Sequence, residues 1–328
     1  MTTGHRHDLP QARGDRLLTD GGLETTLIFH RGFELPEFAA FPLLDTHDGR
    51  AALVDYFRSY LDIAVAHGVG IVLETPTWRA SADWGALIGY DAAALRQVNT
   101  AAVDLLRDLR SRYESDDTPV VISGCVGPRG DGYVAGEEMT PEEADSYHRT
   151  QVQTFADAGA DLVTFVTATS SSEAIGFLRA AERAGIPAVV SFTVETDGRI
   201  PAGQPLAAAI EQVDADTGSF ATCFGINCAH PDHFSAELTG ATWEQRIGLL
   251  RANASRRSHE ELDEADELDA GDAAELAQLY RRLRDVLPNL NVMGGCCGTD
   301  DSHIAAIAET CFGPPRPRNL ARSTAESQ

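Results

Sequence analysis

Short β-rich apolar runs alternate with amphipathic helical stretches from residue 17 almost to the end of the chain, the pattern of a parallel sheet with crossover helices. Eight runs can be placed, each ending in a short polar or glycine-containing turn. They are Leu17 to Thr19, Gly70 to Leu73, Val120 to Ser123, Leu162 to Val166, Ala188 to Phe192, Phe224 to Ile226, Ile247 to Leu250 and Asn291 to Met293. Helical patterns over 50–67, 91–114, 141–158, 172–184, 272–287 and 301–311 separate them, with start signals such as Thr140-Pro141-Glu142. Eight strand–helix units predict closure into a (β/α)8 TIM barrel, an α/β fold that needs about 250 residues and fits this chain as one domain. The seventh run, with Gly248-Leu249-Leu250 at its centre, is short enough to be a helix end, so an open doubly wound sheet is the alternative. The expected layout is a polar N-terminal tail over 1–15, the barrel over 16–312 and a tail over 313–328, where GPPRPRNLARSTAESQ lacks a core pattern.

Charge narrows the chemistry. Acidic residues number 50 against 26 basic ones, a formal net charge of −24, and phosphate neutralisation needs a basic face, so nucleic acid is excluded as an expected partner. Every basic side chain apart from histidine is Arg; the chain has no Lys. A Schiff-base mechanism and a Walker loop both need that amine, and both are excluded. No run reaches the ~18 apolar residues of a membrane span, and MTTGHRHDLPQARGDR has no apolar signal core. A cytoplasmic protein is the expectation. The acidic stretch SRRSHEELDEADELDAGDA at 255–273 reads as a solvated turn or loop.

Six Cys in a chain of this size, two of them adjacent, do not form the pattern of a secreted disulfide framework; in a reducing compartment such clusters bind metal or do catalysis. Cys228 follows a strand in GINC, and Cys296-Cys297 follow another in MGGCCG. In a parallel barrel both strands finish at the same C-terminal face, so three thiolates can converge there. Zinc takes cysteine sulfur tetrahedrally, and three protein ligands leave the open position of a catalytic site. A thiol entering that position would bind as thiolate, the form that methyl transfer from a cationic donor needs. Gly294 and Gly295 would permit close backbone approach, and Gly298 an unusual φ. The same cysteines also suit a redox pair or simple burial. Cys125, Cys223 and Cys311 read as packing residues, although Cys125 lies at a strand end near the same mouth.

Four segments carry a family resemblance: LLTDGGLETTL at 17–27, GCVGP at 124–128, GINCAHP at 225–231 and GGCCGT at 294–299 are similar to those of the homocysteine S-methyltransferase family, and the likeness spans most of the chain. The resemblance implies a TIM barrel, zinc on Cys228, Cys296 and Cys297, a thiol acceptor such as homocysteine, and a small cationic methyl donor such as S-methylmethionine, S-adenosylmethionine or a betaine. It also implies substrate contacts from Asp20, Gly21, Gly22, Thr75 and Trp78; Asn227, beside the metal ligand, and Glu24 and Glu74, near strand ends at the same face, are further candidate contacts. Asp20 would pair with the acceptor ammonium or, alternatively, cap the following helix. Thr75 and Thr77 would line the mouth, and Trp78 would face the cation or join the core.

Two departures stand out. Where the family carries a Glu after its fourth strand, to hold the substrate amino group, this chain has Val166. Losing a carboxylate that pairs with a buried ammonium is costly unless another acid replaces it. Glu24 and Glu74 are the available replacements; otherwise the acceptor is not an ordinary α-amino acid. RANAS at 251–255 stands where relatives carry a segment like YPNSG, with Asn253 and Ser255 keeping part of its role. Against an enzyme of this kind stand a zinc hydrolase, for which the ten His form no H-E-x-x-H pattern, and a non-catalytic zinc- or thiol-binding protein.

Overall fold

The structure is a computed structural model that describes residues 4–316 except 135, 137, 264 and 266. Eight parallel strands close into a barrel in sequence order: β1 Leu17–Thr19, β2 Gly70–Glu74, β3 Val120–Val126, β4 Leu162–Ala168, β5 Ala188–Phe192, β6 Cys223–Asn227, β7 Ile247–Ala252 and β8 Val292–Gly295. Closure is made by β1 against β8, with Leu17 opposite Val292 and Leu18 opposite Met293. The open-sheet alternative is thereby excluded. Helices including His47–His67, Ala92–Tyr113, Pro141–Ala158, Ser171–Ala184, Leu206–Thr217, Ala273–Val286 and Asp301–Phe312 wrap the outside.

The two-residue period of a strand divides the barrel into two apolar regions. Outward side chains such as Ile71, Leu73, Ile122, Phe165, Val190 and Leu250 join the large core beneath the helices. Inward ones (Leu17, Val72, Val121, Leu162, Val189, Leu249 and Val292) form a separate cluster at the N-terminal end of the lumen. Above it the register puts Thr19, Glu74, Ser123, Thr164, Ser191 and Arg251 in the same inward phase, all buried. The lumen is therefore apolar at its base and polar beneath the mouth.

Several strands run further than the apolar runs suggest. β3 continues to Val126 and takes in Cys125, β4 passes a register shift to reach Ala168, and β7 extends to Ala252. The polar residues at these ends face the lumen, where other polar groups satisfy them, so they do not terminate the ladder. Ahead of β1, residues 5–16 are docked and do not trail as a tail. The His5 amide donates to Asp161, Arg6 donates to the Ala160 carbonyl, and Leu9, 6% exposed, caps the lumen's apolar base. At the other end the Arg316 amide donates to the Ala66 carbonyl. The rest of the expected C-terminal tail, 317–328, lies outside the described residues.

Candidate metal centre and substrate pocket

β7 lies between β6 and β8, and its C-terminal end aligns both cysteine segments. The Cys228 amide donates to the Arg251 carbonyl and the Cys296 amide to the Ala252 carbonyl. The sulfurs of Cys228, Cys296 and Cys297 consequently lie within 4.8 Å of one another, with those of Cys228 and Cys296 at disulfide contact. Three convergent thiols at a strand-end mouth suit a soft or borderline metal cation as thiolates, and the closest pair is equally placed for oxidation. Cys228 has φ +51°, in the left-handed region. Its carbonyl is fixed by Asn253 Nδ2 at 3.0 Å and by His259 Nε2 at 2.5 Å, so partners outside the centre hold a conformation that a side chain disfavours.

Glycines permit the close packing here, though not by approaching the metal position. A Cβ on Gly22 would lie 2.6 Å from the Cys296 carbonyl oxygen, and one on Gly294 would lie 2.7 Å from that of Asp20. These glycines let β8 and its cysteine loop press against the turn after β1. Gly298 has φ +78°, as expected after the cysteine pair.

A small inner cavity of about 60 Å³ lies against the three cysteines, lined in part by Asp20, Glu24, Glu74, Thr75, Trp78, Val166 and Arg251. Through Thr25, Phe38, Trp78, Tyr133 and Cys297 it shares a wall with an outer cavity of about 480 Å³. Asp20, Gly21, Gly22, Glu24, Glu74, Thr75 and Trp78 thus all come to the pocket, as expected. Asn227 does not. Its Oδ1 accepts from the Thr167 amide at 3.0 Å and its Nδ2 donates to the Thr167 hydroxyl at 3.1 Å. Fully buried, it steadies Thr167, which has φ +64° and itself lines the cavity.

Thr75 reaches the wall, but its hydroxyl is committed: it accepts from the Cys125 amide at 2.8 Å and donates to Thr77, which in turn donates to the Cys125 carbonyl. Thr77 is fully buried behind it. Trp78 donates through Nε1 to the Val166 carbonyl, and the Arg79 guanidinium is stacked between Trp78 and Trp84, 4.0 and 3.5 Å from their ring centroids. Cys125 lines the cavity apart from the sulfur cluster, and its thiol is pushed up by burial. Cys311 packs in the outer core, while Cys223 abuts the lumen base.

Three contributors escaped the sequence reading. Arg251 points into the lumen from β7, 7% exposed; it pairs with Asp20 at 2.8 Å and donates to Thr19 Oγ1 at 2.8 Å. Burial opposes its charge, but Asp20 and Glu74 more than offset that and hold it protonated. Tyr133 brings its hydroxyl to 3.5 Å from Cys297 Sγ and 3.7 Å from Cys228 Sγ, and its ring stacks on His259 at 4.3 Å. His259 belongs to the acidic stretch 255–273, whose Leu262, Leu268 and Asp269 line the outer cavity, so that stretch forms a wall of the site in addition to meeting solvent. Arg251 could have been found as the charged residue in RANAS. No local signal marks Tyr133 or His259, whose partners are distant in sequence.

Burial also raises the carboxyls of Glu24 and Glu74 to about 7, with Arg251 pulling each back. Glu24 keeps some exposed surface, whereas Glu74 is 6% exposed. Glu74 Oε2 is buried with no hydrogen-bond partner.

A TIM barrel with three cysteine sulfurs converging beside a pocket at its C-terminal mouth has the donor set and the open side that a thiolate-held metal centre needs. The family follows from comparison: a model of homocysteine S-methyltransferases matches residues 17–311, and the chain belongs to that family and is a methyltransferase. It is 28% identical to the homocysteine S-methyltransferase of Escherichia coli strain K12 over 89% of this chain and 94% of that one. It is 25% identical to selenocysteine Se-methyltransferase of Brassica oleracea var. italica over 92% and 90% respectively. Among solved structures, the homocysteine methyltransferase MmuM of Escherichia coli superposes in its oxidized form with a TM-score of 0.71 and in its metallated form with 0.68. Identity to each is 22%, covering 89% and 90% of this chain and 95% and 96% of those, which establishes the shared fold.

Proposed function

We propose that the protein transfers a methyl group from a small cationic donor to the sulfur of homocysteine, using zinc held by Cys228, Cys296 and Cys297 to activate the acceptor and yielding methionine. The observation that carries this reading is the convergence of three sulfurs, within 4.8 Å, on the wall of a pocket at the barrel mouth. Zinc bound there would keep the incoming sulfur in its nucleophilic thiolate form at neutral pH. The chain's own residues do the rest. Leu23, Phe38 and Val166 shield the reacting sulfur from water, while the turn Asp20-Gly21-Gly22 and Thr75 bound the acceptor side. The aromatic faces of Trp78 and Tyr133 stand where the inner and outer cavities meet, which suits a sulfonium or quaternary ammonium donor entering from the outer one. No other general base is needed. The donor is S-methylmethionine, S-adenosylmethionine or a betaine arriving as a free molecule. Because the centre needs reduced thiols, we place the protein in the cytoplasm.

Val166 favours a second reading, in which the same chemistry acts on a thiol without an α-amino group. Reduced protein loaded with zinc and supplied with homocysteine and each donor in turn, followed by mass spectrometry, tests both. Methionine is expected with at least one donor, and metal analysis should find one zinc per chain, greatly reduced in Cys296→Ser. Undiminished zinc in that variant would refute the ligand set. Absence of methionine with every donor would refute the acceptor.

A further inference from the structure

The inner pocket carries an excess of acid that its own cation does not balance. Asp20, which would ordinarily be the residue to meet an amino-acid ammonium, is already engaged. Its Oδ1 is met by Arg251 and Thr19 at 2.8 and 2.9 Å, and its Oδ2 lies 3.0 Å from the Tyr56 hydroxyl, whose one proton it shares with the Gly21 carbonyl. Arg251 also donates to Thr19 and to the carbonyls of Gly21 and Gly295. Val166, on the β4 wall, offers no charge. That leaves Glu24 and Glu74 facing the cavity; Ser123 and Thr164 lie against the Glu74 carboxyl, but its buried Oε2 makes no well-formed hydrogen bond. A buried acceptor in that condition is costly unless a donor arrives, and a bound ligand is one source.

We propose that Glu74, assisted by Glu24, receives the α-ammonium of the acceptor thiol, replacing from β2 the carboxylate that Val166 lacks on β4. This rests on the methyltransferase reading above and specifies the acceptor class as a thiol that carries an amino group. An ammonium has three donors to distribute: one satisfies the orphaned Glu74 oxygen, and the others can reach Glu24 and groups at the mouth. The ligand's ammonium adds a second cation beside the three wall carboxylates, while its own carboxylate, which a desamino analogue shares, must lie away from them. Burial that penalises the Glu74 anion in the empty pocket then works in favour of a positively charged ligand, since exchanging it for a neutral one would leave the acid alone again.

The test compares homocysteine with its desamino analogue, 4-sulfanylbutanoate, on zinc-loaded protein at saturating donor. Wild type is expected to prefer homocysteine in kcat/KM by about 30-fold or more, the range for losing one partner of a buried charge pair. In Glu74→Gln that preference should collapse by a similar factor, through the acceptor KM and with the donor KM unmoved. Should Glu74→Gln fail to fold, Glu74→Asp, which keeps the charge but shortens the reach, should lower the ratio several-fold. Equal use of both thiols by wild type overturns the assignment, as does an unchanged ratio in the variant. A rise confined to the donor KM also overturns it, because the acid would then be serving the donor cation. Product from neither thiol with any donor overturns the parent reading, whereas product from both at equal rates overturns this assignment alone.

Discussion

Replacing Arg251 with Met removes the guanidinium paired with Asp20 while keeping an unbranched apolar stem of similar reach. Asp20 is 2% exposed and would remain among Thr19, Tyr56 and backbone without its counter-charge. Three more acceptors, the Thr19 hydroxyl and the Gly21 and Gly295 carbonyls, would lose a donor at 2.8, 3.3 and 3.2 Å. Breaking a buried pair by deleting one partner costs about 3–5 kcal/mol, a large part of a typical total stability of about 5–15 kcal/mol. At roughly 2–4 °C per kcal/mol for a larger domain, the midpoint of thermal unfolding should fall by about 6–20 °C. Calorimetry of the reduced, metal-free protein at pH 7 measures this, and a double-mutant cycle separates the pair from general loss of packing. Asp20→Asn with Arg251→Met should cost less than the two single variants summed, by about 2 kcal/mol or more. A midpoint shift below about 3 °C, or strict additivity, would refute the view that Asp20 is held as the partner of Arg251. It would also return Asp20 to the substrate.

Other perturbations test neighbouring features. Glu74 has its folded carboxyl raised to about 7 from an ordinary value near 4.5, so between those pH values the folded state holds a proton that the unfolded chain has lost. The group therefore lowers stability as pH rises through that window, by up to roughly 3 kcal/mol above it, and has no such effect below it. Glu74→Gln should gain stability relative to wild type between pH 5 and pH 8 in urea titrations; a constant difference would contradict the burial argument. Leu9→Ala should cost about 2–4 kcal/mol by opening the apolar base of the lumen, and unfolding indistinguishable from wild type would show that the N-terminal segment is not a plug. Gly22→Ala places a methyl 2.6 Å from the Cys296 carbonyl oxygen, so metal affinity measured by chelator competition should drop about tenfold or more. Unchanged affinity would mean that the loop relaxes freely.

How far the sequence revealed the fold depended on which way side chains point. The alternation that announced eight strands is an outward-facing signal: Ile71, Leu73, Ile122, Val163, Phe165 and Leu250 are apolar because helices cover them. It fades at the strand ends, where the lumen turns polar. There Glu74, Ser123, Thr164, Ser191 and Arg251 interrupt the apolar runs without interrupting the ladder, so β3, β4 and β7 run further than apolar content alone suggests. β7 was hardest to read for the same reason that it matters to the site: a charge stands in its interior phase, and its terminal carbonyls order both cysteine segments. The three cysteines were legible because GINCAHP and GGCCGT resemble segments of a known family; a thiol at a strand end alone, as Cys125 shows, is as readily a packing residue. Asn227 drew notice as a polar residue beside a ligand, whereas in the structure its amide is engaged with Thr167 behind the cavity wall. Arg251 changes the interpretation most. A guanidinium on β7 that occupies Asp20 belongs with the loss of a carboxylate at Val166: together they take both expected ammonium partners out of use and leave Glu74 as the acid with an open oxygen. Restoring Glu at position 166 without releasing Asp20 would then give the pocket a surplus anion. Val166→Glu should accordingly lower stability unless an ammonium-bearing thiol is present.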